Sequence, residues 1–337
     1  MPLKPQKRTG LIFFPAFDWA ISPNHPEREE RLLYTQDQVF EEGLLDFDNI
    51  REYKPGIATA EDINRAHICV PDAGSVVTES HLISAGGAIT AAQKVLSGEV
   101  DNAFALVRPP GHHAQAAEAA GFCIFNNIAI GARHALARWG MERILIVDWD
   151  LHHGNGTAET FYEDRKVLYF STHQSPGYPG TGGMEETGSG PGLGYTINVP
   201  LRPGADDAFY VRVFREILCP VAREFRPEII LVSAGFDIYI GDPLGEMKVT
   251  PEGFACLTRI LLNLADECCN GRLVLVLEGG YNILGLTRSV RAVLLELLGE
   301  TRVTEETLSR MAANTDETCN RLIGRVREKI GPFWPVF

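Results

Sequence analysis

The sequence predicts an α/β protein with a doubly wound, mainly parallel central sheet flanked by helices. Three observations carry that prediction. Short aliphatic runs recur along the chain, and none alternates apolar with polar residues, so each is covered on both faces as parallel strands are. Segments with helical apolar spacing separate them. Gly, His, Asp and Tyr follow the runs, and open parallel sheets bind ligands beyond the carboxyl ends of their strands. The 337 residues are read as one domain, 1–337, because nothing between residues 30 and 300 resembles a linker or a fixed-period repeat.

The elements follow in order. "GLIFF" (10–14) is the first strand. "SHLISAGGAITAAQKVLSG" (80–98) has helical apolar spacing and ends in Gly, a common helix stop. "AFALV" (103–107) is a strand, and "NNIAIGARHALARWG" (126–140) is a second Gly-terminated helix. The strands "ILIV" (144–147), "VLYF" (167–170), "TINV" (196–199) and "IILV" (229–232) come next. "TPEGFACLTRILLNLADECCNG" (250–271) opens with Thr250 as N-cap and Pro251 in the first turn, both helix-start signals. "LVLVL" (273–277) is the last strand.

Composition narrows the function. The net charge is −13 and no Lys/Arg cluster marks a nucleic-acid face, so nucleic acid is excluded as a partner. No segment approaches the ~20 apolar residues of a membrane span, so no membrane partner is expected. The amino-terminal apolar run stops at Pro15 and is shorter than the ~7–15 residues of a signal peptide. Seven cysteines without a C-x-x-C pair fit a reducing compartment, and a cytoplasmic location is expected.

Five strands deliver chemistry to one edge. They run into "RPPGHH", "DWDLHHGNG", "STHQSPGYPGTGG", "SAGFDIYIGDPLG" and "EGGYN". While the chain stays extended, Asp148, Asp150 and His152 share a face. Neighbouring carboxylates repel, and a cation between them removes that penalty. Oxygen and nitrogen ligands suit Zn²⁺, which takes three protein ligands in catalytic sites, and Asp237 is the candidate third. The alternative makes the two aspartates helix caps, but four more polar strand ends at the same edge weigh against it. The tandem His112-His113 can supply a base for water and an acid for a leaving amine, with Asp148 behind one imidazole. Tyr281 follows two glycines that permit a tight turn, and its phenol can donate to a developing oxyanion.

The ordered motifs "RPPGHHA", "GFCIFNN", "DWDLHHGNGT", "SPGYPGTG", "SAGFD", "GDPLG" and "EGGYN", preceded by "HPEREERL", resemble the zinc-dependent histone deacetylases of the arginase/deacetylase fold. The resemblance spans residues 25–282. It implies one Zn²⁺ held by Asp150, His152 and Asp237, with Asp148 paired to His112. It implies His113 as the main general base and acid and Tyr281 as the group that polarises the acyl carbonyl. Gly121, Phe122 and Tyr178 match a narrow tunnel, with Leu244 at its rim. Arg31 matches a family Arg near an internal cavity. K⁺ is implied at an inner site, from backbone oxygens of Asp148, Asp150, His152 and Thr172 with the Ser171 hydroxyl. An outer K⁺ site matches Phe161, Asp164, Val167 and Tyr195. The implied substrate is an acetyl-lysine peptide or protein, or a small acylated amine.

Departures from the family refine this. Asn155 stands behind the tandem pair where the best-known nuclear members carry Asp, which makes His113 less basic and points to the class II and bacterial branches. Leu244 is apolar where a polyamine-preferring relative carries Glu, and the stretch from Pro71 to Gly86 lacks a long insertion. Both weigh against an acetylpolyamine substrate, which stays as the alternative. A two-manganese ureohydrolase needs a second Asp-x-His-x-Asp cluster, and none occurs. A non-enzymatic acyl-lysine reader would not need both tandem histidines and Tyr281. "GSGPGLG" (188–194) precedes a strand, so it reads as a mobile groove loop and not as a dinucleotide fingerprint.

Overall fold

The computed structural model describes residues 7–17, 19–22, 24–69, 77–300 and 303–337. Residues 71–76 of the short stretch before Gly86 lie outside the described residues.

Eight strands form one sheet, and every pair is parallel. They are β1 (Thr9–Phe14), β2 (Ile50–Tyr53), β3 (Asn102–Val107), β4 (Ile144–Asp148), β5 (Val167–Gln174), β6 (Thr196–Leu201), β7 (Ile229–Ala234) and β8 (Leu273–Leu277). Their order is β2-β1-β3-β8-β7-β4-β5-β6. The run β3-β8-β7-β4-β5 therefore joins segments far apart in sequence, and all five motif-bearing strand ends become neighbours.

The helices are α1 (Glu30–Glu41), α2 (Ala60–Ile63), α3 (Glu79–Leu96), α4 (Asn127–Trp139), α5 (Asn155–Thr160), α6 (Asp207–Val213), α7 (Cys219–Phe225), α8 (Pro251–Cys268), α9 (Ile283–Leu298), α10 (Glu305–Ala313) and α11 (Glu317–Ile330). A π-helical turn, Phe214–Leu218, joins α6 to α7. The expected capping is present. The Asn126 side chain accepts from Ala129 N ahead of α4, which ends at Gly140 with φ 65°, and Thr250 accepts from Gly253 N ahead of α8.

Alternate residues of each strand go to opposite faces. Ile144 and Ile146 join Val274 and Val276 in a core covered by α3 and α4. Leu145, Val147 and Trp149 join a larger core with Phe254 and Val290, under α8 and α9. Each fully buried aliphatic side chain stabilises by about 1.5–3 kcal/mol. This two-sided burial is the reason the strands read as unbroken apolar runs. Strand β2 is the exception: Arg51 and Glu52 are exposed, and it pairs only with β1 at the sheet's edge.

The carboxyl-terminal segment folds back on the body. Trp334 is buried, donates from Nε1 to the carbonyl of Gly194 at 2.7 Å, and packs edge-on against Tyr195 and Phe225. The Gly-rich segment 188–194 is consequently a structural turn. Ser189 N donates to Tyr162 O and Gly194 N to Thr187 O, and Phe333 packs over Gly194, so the groove-loop expectation is corrected. Among the described residues, no helix is long and apolar enough to cross a membrane.

Candidate active site

Leaving β4, the chain sends Trp149 and Leu151 into the larger core, which turns Asp148 and Asp150 the other way. Asp148 is fully buried. Its Oδ1 accepts from Asp150 N at 3.1 Å, and its Oδ2 accepts from His112 Nδ1 at 3.1 Å and from the Tyr169 hydroxyl at 2.9 Å. Asp150 Oδ2 accepts from Gly279 N at 2.9 Å, across from β8. Asp237, after β7, accepts from Leu151 N through Oδ1 at 2.9 Å. His152 Nδ1 lies 3.2 Å from Asp150 Oδ1 and 3.3 Å from Asp237 Oδ2.

One ligand atom from each of Asp150, His152 and Asp237 falls within 4.8 Å of the others. The fully buried Asp237 Oδ2 accepts no hydrogen bond, and a buried carboxylate oxygen without a partner is costly. Glycines allow this close packing: a Cβ on Gly235 would stand 2.1 Å from Asp150 Oδ2, and one on Gly279 would stand 2.2 Å from Asp237 Oδ2. Burial together with the Asp150 charge pushes the Asp237 carboxyl up to about 7. Burial opposes a proton on His152, yet the hydrogen bond to Asp150 and the charges of Asp150 and Asp237 raise its pKa to about 10. The site therefore demands positive charge, and two carboxylates with an imidazole fit Zn²⁺.

The tandem pair follows β3. Gly111 N and His112 N donate to Glu278 Oε2 at 2.6 and 3.1 Å, and Ser233 Oγ donates to Glu278 Oε1 at 3.0 Å. Burial works against charge on His112, but Asp150, Asp148 and Glu278 raise its pKa well above the usual value. His113 behaves oppositely: burial, then the charge of His112, lowers its pKa well below. His113 Nδ1 lies 2.7 Å from Asn155 Oδ1. That oxygen can only accept, so Nδ1 carries the proton and Nε2 is left as an acceptor.

A cavity of 330 Å³ opens above these groups, lined by both tandem histidines, Phe122, Tyr178, Leu244 and Tyr281. Gly121 also lines it, with φ 51°, and a Cβ there would lie 2.2 Å from the His113 ring. Phe122 meets Tyr281 edge-on, with centroids 6.0 Å apart. Burial and the Asp237 and Asp150 charges, against the pull of Arg31, raise the Tyr281 phenol well above its normal range, so it stays protonated and can donate. Arg31 stands behind this turn and not among the cavity lining. It donates to the carbonyls of Glu278 and Gly280 at 2.7 Å each and lies 4.8 Å from the Tyr281 ring centroid.

Two of the residues matched to an inner K⁺ site lie on β5 beside the end of β4. The Thr172 hydroxyl reaches the Asp148 carbonyl at 3.5 Å, and the Ser171 hydroxyl contacts His173 Nδ1 at 2.9 Å. Those matched to the outer site form a turn: Asp164 N donates to Phe161 O, and Val167 N donates to Asp164 O. The Tyr195 carbonyl accepts from Tyr169 N beside it.

Three supporting carboxylates escaped sequence reasoning. Glu278 bridges the His112 turn to β7 and β8. Asp242 Oδ2 accepts from Tyr281 N at 2.7 Å and Asn282 N at 3.0 Å, while its Oδ1 accepts from Leu244 N. Glu27 joins the buried Arg31 and Arg108. Each lies inside a quoted motif, "EGGYN", "GDPLG" and "HPEREERL". Glu278 and Asp242 accept mainly from backbone N–H groups, which leave no spacing pattern, and Glu27 pairs with Arg31 four residues on and with the distant Arg108.

Comparisons place this geometry in a family. The histone deacetylase domain model matches residues 73–297. A probable deacetylase of Archaeoglobus fulgidus is 45% identical over 296 residues, covering 82% of this chain and 82% of that protein. Histone deacetylase 18 of Arabidopsis thaliana is 44% identical over 77% of this chain, which spans only 38% of its length. The crystal structure of the HDA15 HD domain superposes with a TM-score of 0.86 at 33% identity, covering 98% of this chain and 96% of that one. The parallel sheet, the His/Asp/Asp cluster and these matches agree: the chain belongs to the histone deacetylase family, whose enzymes hydrolyse acetyl amides.

Proposed function

We propose that this chain removes acetyl groups from lysine side chains of peptides or proteins by zinc-dependent amide hydrolysis. The observation that carries the reading is the convergence of His112, His113, His152 and Tyr281 on one 330 Å³ cavity, with Asp150 and Asp237 clustered at His152. When bound by Asp150, His152 and Asp237, zinc supplies a Lewis acid that polarises a carbonyl and makes water a nucleophile near neutral pH.

The protein's own groups do the rest. Phe122 and Tyr178 flank a slot that suits an extended acyl-lysine chain and excludes bulk water, strengthening electrostatic terms inside. His113 Nε2 takes the proton of the attacking water and returns it to the amine that leaves. His112, held charged by Asp148 and Asp150, steadies the negative charge that builds during attack. The Tyr281 hydroxyl donates to the same developing oxyanion. K⁺ at the inner site would be held by the Ser171 hydroxyl and the carbonyls of Asp148, Asp150, His152 and Thr172, bracing the loop that carries the zinc ligands.

Hydrolysis of an acetyl-lysine peptide tests this, alongside acetylated polyamines and with metal content measured. Turnover should track zinc at one per chain. Tyr281→Phe should lower kcat roughly 10²–10³-fold while zinc stays bound. Undiminished turnover in that variant, or a clear kcat/KM preference for polyamines, would overturn the assignment.

A further inference from the structure

A second cavity of 780 Å³ shares a loop with the tunnel. The loop after β5 walls both. Tyr178 faces the tunnel, while Pro176, Gly177 and Gly180, on either side of it in sequence, line the second cavity. The opposite wall carries Arg321 and Arg325 from α11 and Arg202 from the end of β6.

These three guanidinium groups are exposed and have no ion pair or side-chain hydrogen bond among the described residues. Nearby cations differ. Arg327, on the same helix, lies 3.0 Å from Glu216, and Arg212 lies 2.7 Å from that carboxylate. Arg321 and Arg325 stand four residues apart, where like charges disfavour the helix. A chain with 44 acidic and 31 basic residues has carboxylates to spare, yet among the described residues none pairs with this cluster. The two acids of the groove do not serve: Glu186 Oε1 is engaged by Gly182 N and Gly183 N, and Glu185 forms no ion pair among the described residues. Guanidinium forks of this kind match carboxylates.

We propose that this groove seats Asp or Glu side chains of the polypeptide that carries the acyl-lysine, so that acidic flanking sequence selects substrates. The inference rests on the deacetylase reading for the identity of the tunnel's occupant. The geometry favours a connected ligand, because one loop separates the two cavities and an extended peptide advances about 3.3–3.6 Å per residue.

The test uses the full zinc-loaded chain and three peptides with the same central acetyl-lysine, flanked by Glu, Gln or Lys. Affinity is read by fluorescence anisotropy and turnover as kcat/KM. The Glu peptide should bind roughly three- to tenfold more tightly than the Gln peptide, the size that two or three exposed ion pairs supply. That advantage should shrink with added salt and vanish in the double variant Arg321→Glu/Arg325→Glu, while turnover of free acetyl-lysine amide is unchanged. Equal affinity for the Glu and Gln peptides, or an advantage that survives the double reversal, overturns the proposal. Selective binding without hydrolysis would sink the deacetylase reading and leave the groove standing. Hydrolysis without selectivity would do the reverse.

Discussion

The two His-His dipeptides sit at the ends of β3 and β4 and share a sequence, yet their four imidazoles have different fates. In the first pair, His112 is clamped by Asp148, and His113 meets only the neutral Asn155. In the second, His152 lies between two carboxylates, while His153 turns away to Thr181 Oγ1 at 2.8 Å and packs 4.9 Å from the His173 ring. Burial and the like charge of His173 push His153 down to about 2, so it stays neutral. The identity of the residue thus says little. The partner at its ring nitrogens decides whether an imidazole holds charge, accepts a proton, coordinates a metal or fills space.

The contrast breaks most visibly at the metal ligands. Asp237→Asn keeps the shape and the acceptor for Leu151 N but removes a charge. Zinc affinity should fall by more than the roughly 10–100-fold that losing an outer hydrogen-bond partner costs, with turnover lost alongside. A variant that retains one zinc per chain by elemental analysis would remove Asp237 from the ligand set. The two pairs are separated next. His113→Ala should lower kcat roughly 10²–10⁴-fold with little change in Tm. His153→Ala should instead destabilise by about 1–3 kcal/mol, with kcat per folded molecule far less affected. Equal losses of turnover would erase the distinction drawn here.

A third imidazole gives the smallest effect. His134, outside the site, lies 3.1 Å from Asp62 Oδ1, and Asp62 also caps α2 through Thr59. Partial burial opposes ionisation, but the bonds to Thr59 and His134 lower the Asp62 pKa to about 2. A depressed folded-state pKa stabilises above the unfolded value of ~3.9 and loses that contribution as pH falls toward about 2. Asp62→Asn should remove that part of the acid dependence, a fraction of a kcal/mol after solvent screening. Acid titrations of wild type and variant that superpose between pH ~4 and ~2 would show that the cap carries no linkage.

Seven of the eight strands were legible because burial on both faces leaves unbroken aliphatic runs. β2 was not, since an edge strand with exposed Arg51 and Glu52 carries no such signal. The helices opened by Asn126 and Thr250 announced themselves through their caps. The rod from α6 to α7 contains a π-helical turn that shifts the apolar period, and α9, beyond the last strand and its turn, was not named. The cluster of Asp150, His152 and Asp237 was readable because metal chemistry restricts residue type. Glu278 and Asp242 were not, because an acid that accepts from backbone N–H groups looks like any other acid until the turns are folded around it. Arg31 was matched near an internal cavity, and its guanidinium donates to the carbonyls of Glu278 and Gly280.

The seat of Trp334 on Gly194 has a reach beyond packing. Its indole fixes the turn that leads into Tyr195; the Tyr195 carbonyl receives Tyr169 N, and the Tyr169 hydroxyl bonds to Asp148, the partner of His112. An aromatic at the tail is thereby tied in four steps to Asp148 and its partner His112. Anything that unseats it, such as an appended tag, a protease cut or a bulky neighbour, would be felt as slack in the frame that aims the imidazoles.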